Sequence, residues 1–176
     1  MIKKAVQIGN PIVRANSRDV LLKDILKKST QTLINDLVDS MRAYGLIGMA
    51  APQIGKNLNV FVIQLRDTPT RKKLSKIEKL YVFINPKLSE FSKVRTVLME
   101  GCGSLVTAQL FGPVKRPKDV TVTALNEKGE SFKMKTSGLM AKCVQHEYDH
   151  LRGVICIDKF EDTLKVAERK EYKKRK

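Results

Sequence analysis

The chain has 176 residues, with Lys plus Arg at 34 against Asp plus Glu at 18, a formal charge of +16, and 42% hydrophobic residues. That is enough chain for one domain with its own apolar core and too much hydrophobicity for a disordered basic tail. The charge favours polyanionic neighbours such as RNA, and three cysteines suit a reducing compartment better than a disulfide framework.

The opening MIKKAVQIGNPIV has no apolar run before Gly9-Asn10-Pro11, so it does not read as a secretory leader, and no stretch has the length of a membrane span. Residues 29–43 place Leu33, Ile34, Leu37, Val38 and Met41 at helical spacing, and Gly45 fits the stop. A Gly/Ala-rich connection follows at 45–55. Strands are predicted at Val60–Ile63, Leu80–Ile84, Val97–Met99 and Val120–Ala124, the last joined through a Lys128-Gly129 turn to Ser131–Met134. A second helix is predicted from about Ser137 to Leu151, then a short strand at Val154–Ile157. Basic stretches at 66–79 and 165–176 read as an exposed loop and a helical tail. No repeat or linker divides the chain, so residues 1–176 read as a single domain, with the tail at about 161–176. The class is α+β, with mostly antiparallel sheets around a central helix, an N-terminal helix and a basic C-terminal helix.

The strongest chemical signal is His146-Glu147-Tyr148-Asp149-His150 on that central helix. Histidines four apart lie on one helical face, so both imidazoles can reach one divalent ion, and the adjacent glutamate is placed to act as a general base. A catalytic ion normally takes a third protein ligand. Five residues compete for that place. Cys143 shares the helix face but lies about 10 Å along the axis from His150, at about 1.5 Å per residue. Cys156 sits in an apolar run and reads as core. Cys102 lies between glycines in Glu100-Gly101-Cys102-Gly103-Ser104, and Glu168 or Glu171 could serve as in glutamate-type zinc peptidases. Gly48-Met49-Ala50-Ala51-Pro52-Gln53 packs small residues up to one amide, a group suited to hydrogen-bonding an oxyanion.

In their order, the Gly/Ala loop ending in Gln53, the Glu-Gly-Cys-x-Ser segment and the His-Glu-x-x-His helix resemble the peptide deformylases. The resemblance extends from Gly9-Asn10-Pro11-Ile12-Val13-Arg14 through Val114-Lys115-Arg116 to Ser137–Ala141 and Gln145–Gly153. It implies removal of the N-terminal formyl group from formylmethionine of nascent chains. By matching position, Cys102, His146 and His150 would hold the metal, natively ferrous iron, with zinc, nickel or cobalt able to replace it. Glu147 would be the base, Gln53 and the Gly103 N–H would stabilise the oxyanion, and Ile47, Gly48 and Gly101 would pair with the peptide main chain. Arg116 matches an arginine near the methionine pocket.

The cysteine usage and the lack of a leader or span point to the cytoplasm, and a highly charged domain of this size reads as a monomer, while the resemblance implies that the basic tail can contact the ribosome. Two positions depart from the family pattern: Leu46 stands where the first loop usually has glycine, and Gly103 where a bulky apolar residue follows the cysteine. A glycine there is expected to loosen the oxyanion donors. The competing readings are a ribosome- or RNA-binding module that keeps the metal only as structure, and a zinc endopeptidase ligated from the tail.

Overall fold

The computed structural model describes residues 1–69, 78–106, 109–161 and the backbone of 164–165. Its scaffold follows from two helices that each need an apolar surface to lie on. Lys28–Ala43 forms α2, preceded by the single turn α1 at Leu22–Ile25, and Gly138–Leu151 forms α3. α2 buries Leu33, Ile34, Leu37, Val38 and Met41, the stripe its 3.6-residue period dictates. Gly45, at φ +65°, turns the chain away after Tyr44.

Between the helices lies a five-stranded antiparallel sheet in the order β1-β2-β3-β6-β7. Its strands are β1 Gly48–Ala50, β2 Val60–Ile63, β3 Tyr81–Ser89, β6 Asp119–Leu125 and β7 Ser131–Ser137. Side chains alternate across a strand, and the sequence uses both faces at the centre. Val60 and Val62 of β2 and Val82 and Ile84 of β3 pack with α2, whereas Phe61, Ile63 and Phe83 pack with Val144 and Leu151 of α3. That double covering explains why these antiparallel strands read as unbroken apolar runs. The rings of Phe61 and Phe83 stack with centroids 4.5 Å apart. β3 continues past its predicted end through Asn85-Pro86, where the register shifts. Pro86 is accommodated at that bulge, while Asn85 exchanges hydrogen bonds with both backbone groups of Val20.

A smaller sheet, β4-β5-β8, is built from β4 Arg95–Gly101, β5 Leu110–Pro117 and β8 Leu164–Lys165. Sequence periodicity passes over β5 because Gly112 and Pro113 interrupt it. Pro113 needs no N–H partner there, and its carbonyl accepts from the N–H of Glu161.

Three expectations are corrected. Val154–Ile157 is not a strand: Cys156–Lys159 forms a 3₁₀ turn, because the Asp158 carboxylate reaches back to the N–H of Ile155 at 2.9 Å and is itself paired with Arg14. The loop predicted at 45–55 contains β1, which pairs with β2 from Gly48↔Ile63 to Ala50↔Phe61. The tail is extended, not helical, where it is described, with Leu164 and Lys165 beside Phe111 and Leu110. The rest of the predicted tail helix, and 70–77 of the basic loop, lie outside the described residues. No helix among the described residues is long and apolar enough to cross a membrane.

Candidate metal centre

The site forms where α3, the end of β4 and the turn after β1 meet. α3 presents His146 and His150 one turn apart, 8% and 1% exposed, with ring centroids 5.0 Å apart and planes nearly perpendicular. β4 delivers Cys102, whose backbone remains extended and whose sulfur caps the following 3₁₀ turn at Gly103–Leu105 by accepting from the N–H of Ser104. Cys102 Sγ lies 3.1 Å from His150 Nε2, and one donor atom from each of Cys102, His146 and His150 falls within 4.8 Å of the others. The structure therefore brings together the three residues matched as metal ligands, with Cys102 supplying the third donor.

His146 is oriented from behind, whereas His150 Nδ1 is buried with no hydrogen-bond partner among the described residues. Glu100 precedes Cys102 by two residues, so strand geometry turns both side chains to the same face. Its Oε2 lies 2.7 Å from His146 Nδ1, which leaves His146 Nε2 to face the centre. Arg116 grips both Glu100 oxygens at 2.7 and 3.0 Å and Asp149 at 2.7 Å, and Lys159 closes the chain on Asp149 at the surface. Burial works against the Glu100 carboxylate, yet His146 and Arg116 hold its pKa well below the usual range. A second group within metal-binding reach, Glu100 with His146 and Cys156, is thus committed to hydrogen bonds.

The electrostatics fit a cation. Burial lowers the pKa of His146, but hydrogen bonds to Cys102 and Glu100 outweigh it and push the ring up to about 10. Cys102 is held well below its ordinary value, first by a hydrogen bond from the Cys156 thiol and further by the two histidines. A site that holds a proton this firmly carries surplus negative charge, for which a divalent ion competes. One thiolate and two imidazoles make a three-ligand set of the catalytic kind, with room for a further ligand.

Glu147 lies on the cavity side of α3. Burial raises its pKa, and its Oε2 has no hydrogen-bond partner among the described residues. Gly48 makes room for it: a Cβ there would stand 2.5 Å from Glu147 Oε1. Gln53 is fixed by its own turn, with Oε1 accepting from the N–H of Ala50 at 2.8 Å and Nε2 donating to Cys102 Sγ at 3.3 Å. The N–H of Gly103 has no partner among the described residues, while its carbonyl accepts from Gln7 Nε2 at 2.9 Å.

A small cavity of about 60 Å³ touches Gly48, Gln53, Gly101, Gly103, His146 and Glu147. A larger one of about 460 Å³ continues from it past Ile47, Cys102, Leu105 and Phe111. Of the predicted site residues, His150 and Arg116 line neither. Arg116 is 4% exposed, and its guanidinium lies on Glu100, which lines the larger cavity and partners His146. The two family departures prove to be one feature. A Cβ on Gly103 would stand 3.0 Å from Leu46 Cδ1, so Leu46 occupies the volume that a side chain at 103 would need. The expected loosening of the oxyanion donors is thereby opposed by packing.

Three neighbours of the site escape a reading by motif. Glu100 was available from its period-two relation to Cys102. Lys142 was available from its four-residue spacing before His146. For Cys156, nothing local signals that its thiol meets Cys102.

In sequence and in fold the chain is similar to known peptide deformylases. A peptide deformylase of Pseudothermotoga lettingae is 39% identical over 171 residues, 97% of this chain and 90% of that protein. Peptide deformylase 2 of Clostridium perfringens is 37% identical, over 96% of this chain and 99% of its own. Among solved structures, a Met-Ala-Ser-bound class I type b peptide deformylase from Acinetobacter baumannii superposes with a TM-score of 0.85 at 25% identity, covering 91% of this chain and 99% of that one. A Legionella pneumophila peptide deformylase gives 0.79 at 32% identity, covering 100% and 99%. The polypeptide deformylase family model matches residues 2–166, nearly the whole length that forms the two sheets and the centre, and the chain belongs to that family of metal-dependent enzymes.

Proposed function

We propose that the protein hydrolyses the N-terminal formyl group of formylmethionyl nascent polypeptides, releasing formate and a free α-amino group. The observation that carries this is a buried carboxylate, Glu147, with an unpartnered oxygen beside the convergent Cys102, His146 and His150. Those three residues would hold one divalent ion, natively Fe(II), with zinc, nickel or cobalt able to take its place. When bound, the ion supplies a Lewis acid that polarises the formyl carbonyl and acidifies water at neutral pH.

The protein's own groups do the remaining work. Glu147, its pKa raised by burial, accepts a proton from the attacking water and delivers it to the departing amine nitrogen. One N–H of the Gln53 amide is spent on Cys102, and the other makes no hydrogen bond with a described residue. Together with the Gly103 N–H it donates to the formyl oxygen as negative charge develops. Gly48 at the sheet edge, Ile47 before it, and Gly101 at the end of β4 flank the small cavity, so a peptide entering there extends the hydrogen bonding of an edge strand. The larger cavity beyond takes the first side chain.

We place this activity in one cytoplasmic catalytic domain acting as a monomer. Its basic residues 165–176 add sequence-independent attraction to ribosomal RNA. A structural-metal module would require a fourth protein ligand, and Glu100, one candidate beside the centre, has both oxygens engaged by Arg116 and His146.

The test is deformylation of formyl-Met-Ala-Ser by protein loaded anaerobically with ferrous iron, beside Glu147→Ala and Cys102→Ser. Turnover by the wild type is expected, with Glu147→Ala inactive but metal-bound and Cys102→Ser depleted of metal. A wild-type protein that binds one ion and turns nothing over would refute the proposal.

A further inference from the structure

Strand β4 reaches the candidate centre with one of its edges open. It is the outer strand of the smaller sheet and pairs only with β5 among the described residues, in unbroken register from Arg95↔Pro117 to Gly101↔Phe111. Two prolines of β5 reveal which backbone groups of β4 face outward. The Pro113 carbonyl accepts from the N–H of Glu161, on the side where Phe160 bridges Val114, and the Pro117 carbonyl accepts from Gln145 Nε2, both at 2.9 Å. Both prolines thus turn their polar groups away from β4. In an antiparallel ladder the residues opposite them, Met99 and Arg95, turn theirs away from β5, and Val97 and Gly101 follow by the period of two. The open edge therefore presents the N–H and C=O of Gly101, Met99, Val97 and Arg95.

Native edge strands are usually blunted by lysine, proline or a bulge. β4 contains no lysine or proline, and its register has no shift. Its charges are Arg95 at the far end and Glu100, whose carboxylate is turned inward onto Arg116 and His146. Val97 and Leu98 are 42% and 37% exposed. Such an edge is a template for an added strand, and its direction selects the occupant. β4 runs toward the centre and ends at Gly101, which lines the small cavity. A peptide with its N-terminus at the centre and its chain leaving along β4 runs antiparallel to it. Once one peptide residue exchanges hydrogen bonds with Gly101, those two and four positions later fall opposite Met99 and Val97. The second of these lies about 14 Å from Gly101 along the strand.

We propose that the open edge of β4 is an extended subsite for the nascent chain, pairing through Met99 and Val97 with the main chain beyond the residue held at Gly101. The inference rests on the reading that a formylated N-terminus is hydrolysed at this centre. It adds a selectivity that a pocket for the first side chain cannot supply: the enzyme reads an extended, unfolded segment, by its backbone and not by its sequence, and works best before that segment has folded.

The experiment compares kcat/KM for formyl-Met-Ala-Ser and formyl-Met-Ala-Ser-Thr-Val-Thr-Val, using the full metal-loaded chain. The longer peptide is also made with a single N-methyl group at each residue from the third onward. A Val97→Pro variant removes an edge-facing N–H without touching the ladder to β5. Calorimetry of the deformylated peptides gives a second, activity-free readout. The longer peptide is expected to gain at least about tenfold, equivalent to about 1.4 kcal/mol. N-methylation should remove that gain at alternate positions and spare those between, because only every second residue faces β4. Val97→Pro should lower the long-to-short ratio by about threefold or more, the scale of one hydrogen bond. Equal values for the two lengths, or equal losses at consecutive N-methyl positions, would overturn the subsite, and the N-methyl series decides this even where Val97→Pro does not fold. A dimer in sedimentation that Val97→Pro dissociates, with peptide rates indifferent to length, would give the edge to a second copy and equally overturn it. Absence of turnover with every formyl peptide would count against the proposed function, and the affinities of the deformylated peptides would then still decide the edge.

Discussion

Replacing Arg116 by methionine removes the hub of the network behind the ligands. The guanidinium makes three hydrogen bonds, two to Glu100 and one to Asp149, at 2.7 to 3.0 Å. Asp149 would keep Lys159, but Glu100, 1% exposed, would retain only His146 as a partner for a buried charge. Breaking a buried pair from one side costs about 3–5 kcal/mol. For a chain of this size, at about 2–4 °C per kcal/mol, the melting temperature should fall by roughly 6–20 °C. Because Glu100 orients His146, metal affinity should fall about 10–100-fold with it. Thermal unfolding and competition with a chelator measure both. The double variant Glu100→Gln/Arg116→Met leaves no lone carboxylate at position 100 and should recover part of the loss, a coupling of about 0.5–3 kcal/mol. A drop below about 2 °C (under ~1 kcal/mol), with metal affinity intact and KM raised, would refute the network argument and return Arg116 to the substrate pocket.

Gly48→Ala drives a methyl group into the Glu147 carboxylate, with a Cβ–Oε1 separation of 2.5 Å. Activity should fall by about 100-fold or more, the scale of general-base catalysis, while metal content is unchanged; retained activity would mean the carboxylate sits elsewhere during turnover. Gly103→Leu collides with Leu46, and overpacking of about 1–3 kcal/mol should lower activity and stability together. Adding Leu46→Gly should restore both, and a double variant no better than the single one would show that the two positions do not share a volume. Deleting residues 166–176 removes six Lys and Arg and should reduce co-sedimentation with ribosomes at low salt but make no difference at high salt. Equal pelleting of full and truncated chains at low salt would end the ribosome reading of the tail.

What the sequence discloses follows the range of the interactions involved. α2 and α3 are legible because their apolar stripes repeat within a dozen residues, and β2, β6 and β7 because β-branched and aromatic residues cluster between turns. Pro113 hides β5, and the Asp158 carboxylate turns an apolar run into a 3₁₀ turn. Both depend on partners the local pattern does not display. His146, Glu147 and His150 announce themselves by spacing on one helix, whereas Cys102 needed the family resemblance to prevail over four competitors. The role of Arg116 could be assigned only once Glu100 and Asp149, sixteen residues before it and thirty-three after, were seen to meet at its guanidinium.

The first residues of the chain reach the centre without contributing a ligand. Val6 donates to the Gln53 carbonyl at 2.8 Å, Gln7 to that of Gly103 at 2.9 Å and Ile8 to that of Ser104 at 2.9 Å. This segment therefore has no partner at the centre until the turn at 53 and then the turn at 103–105 are made, and the histidine pair of α3 comes later still in the chain. Contacts of such long sequence separation raise contact order, which slows folding of the whole domain. The candidate metal centre is thus closed by backbone and side-chain hydrogen bonds between residues nearly a hundred positions apart, so a change at Gln7 or Ile8 would reach it without touching a ligand.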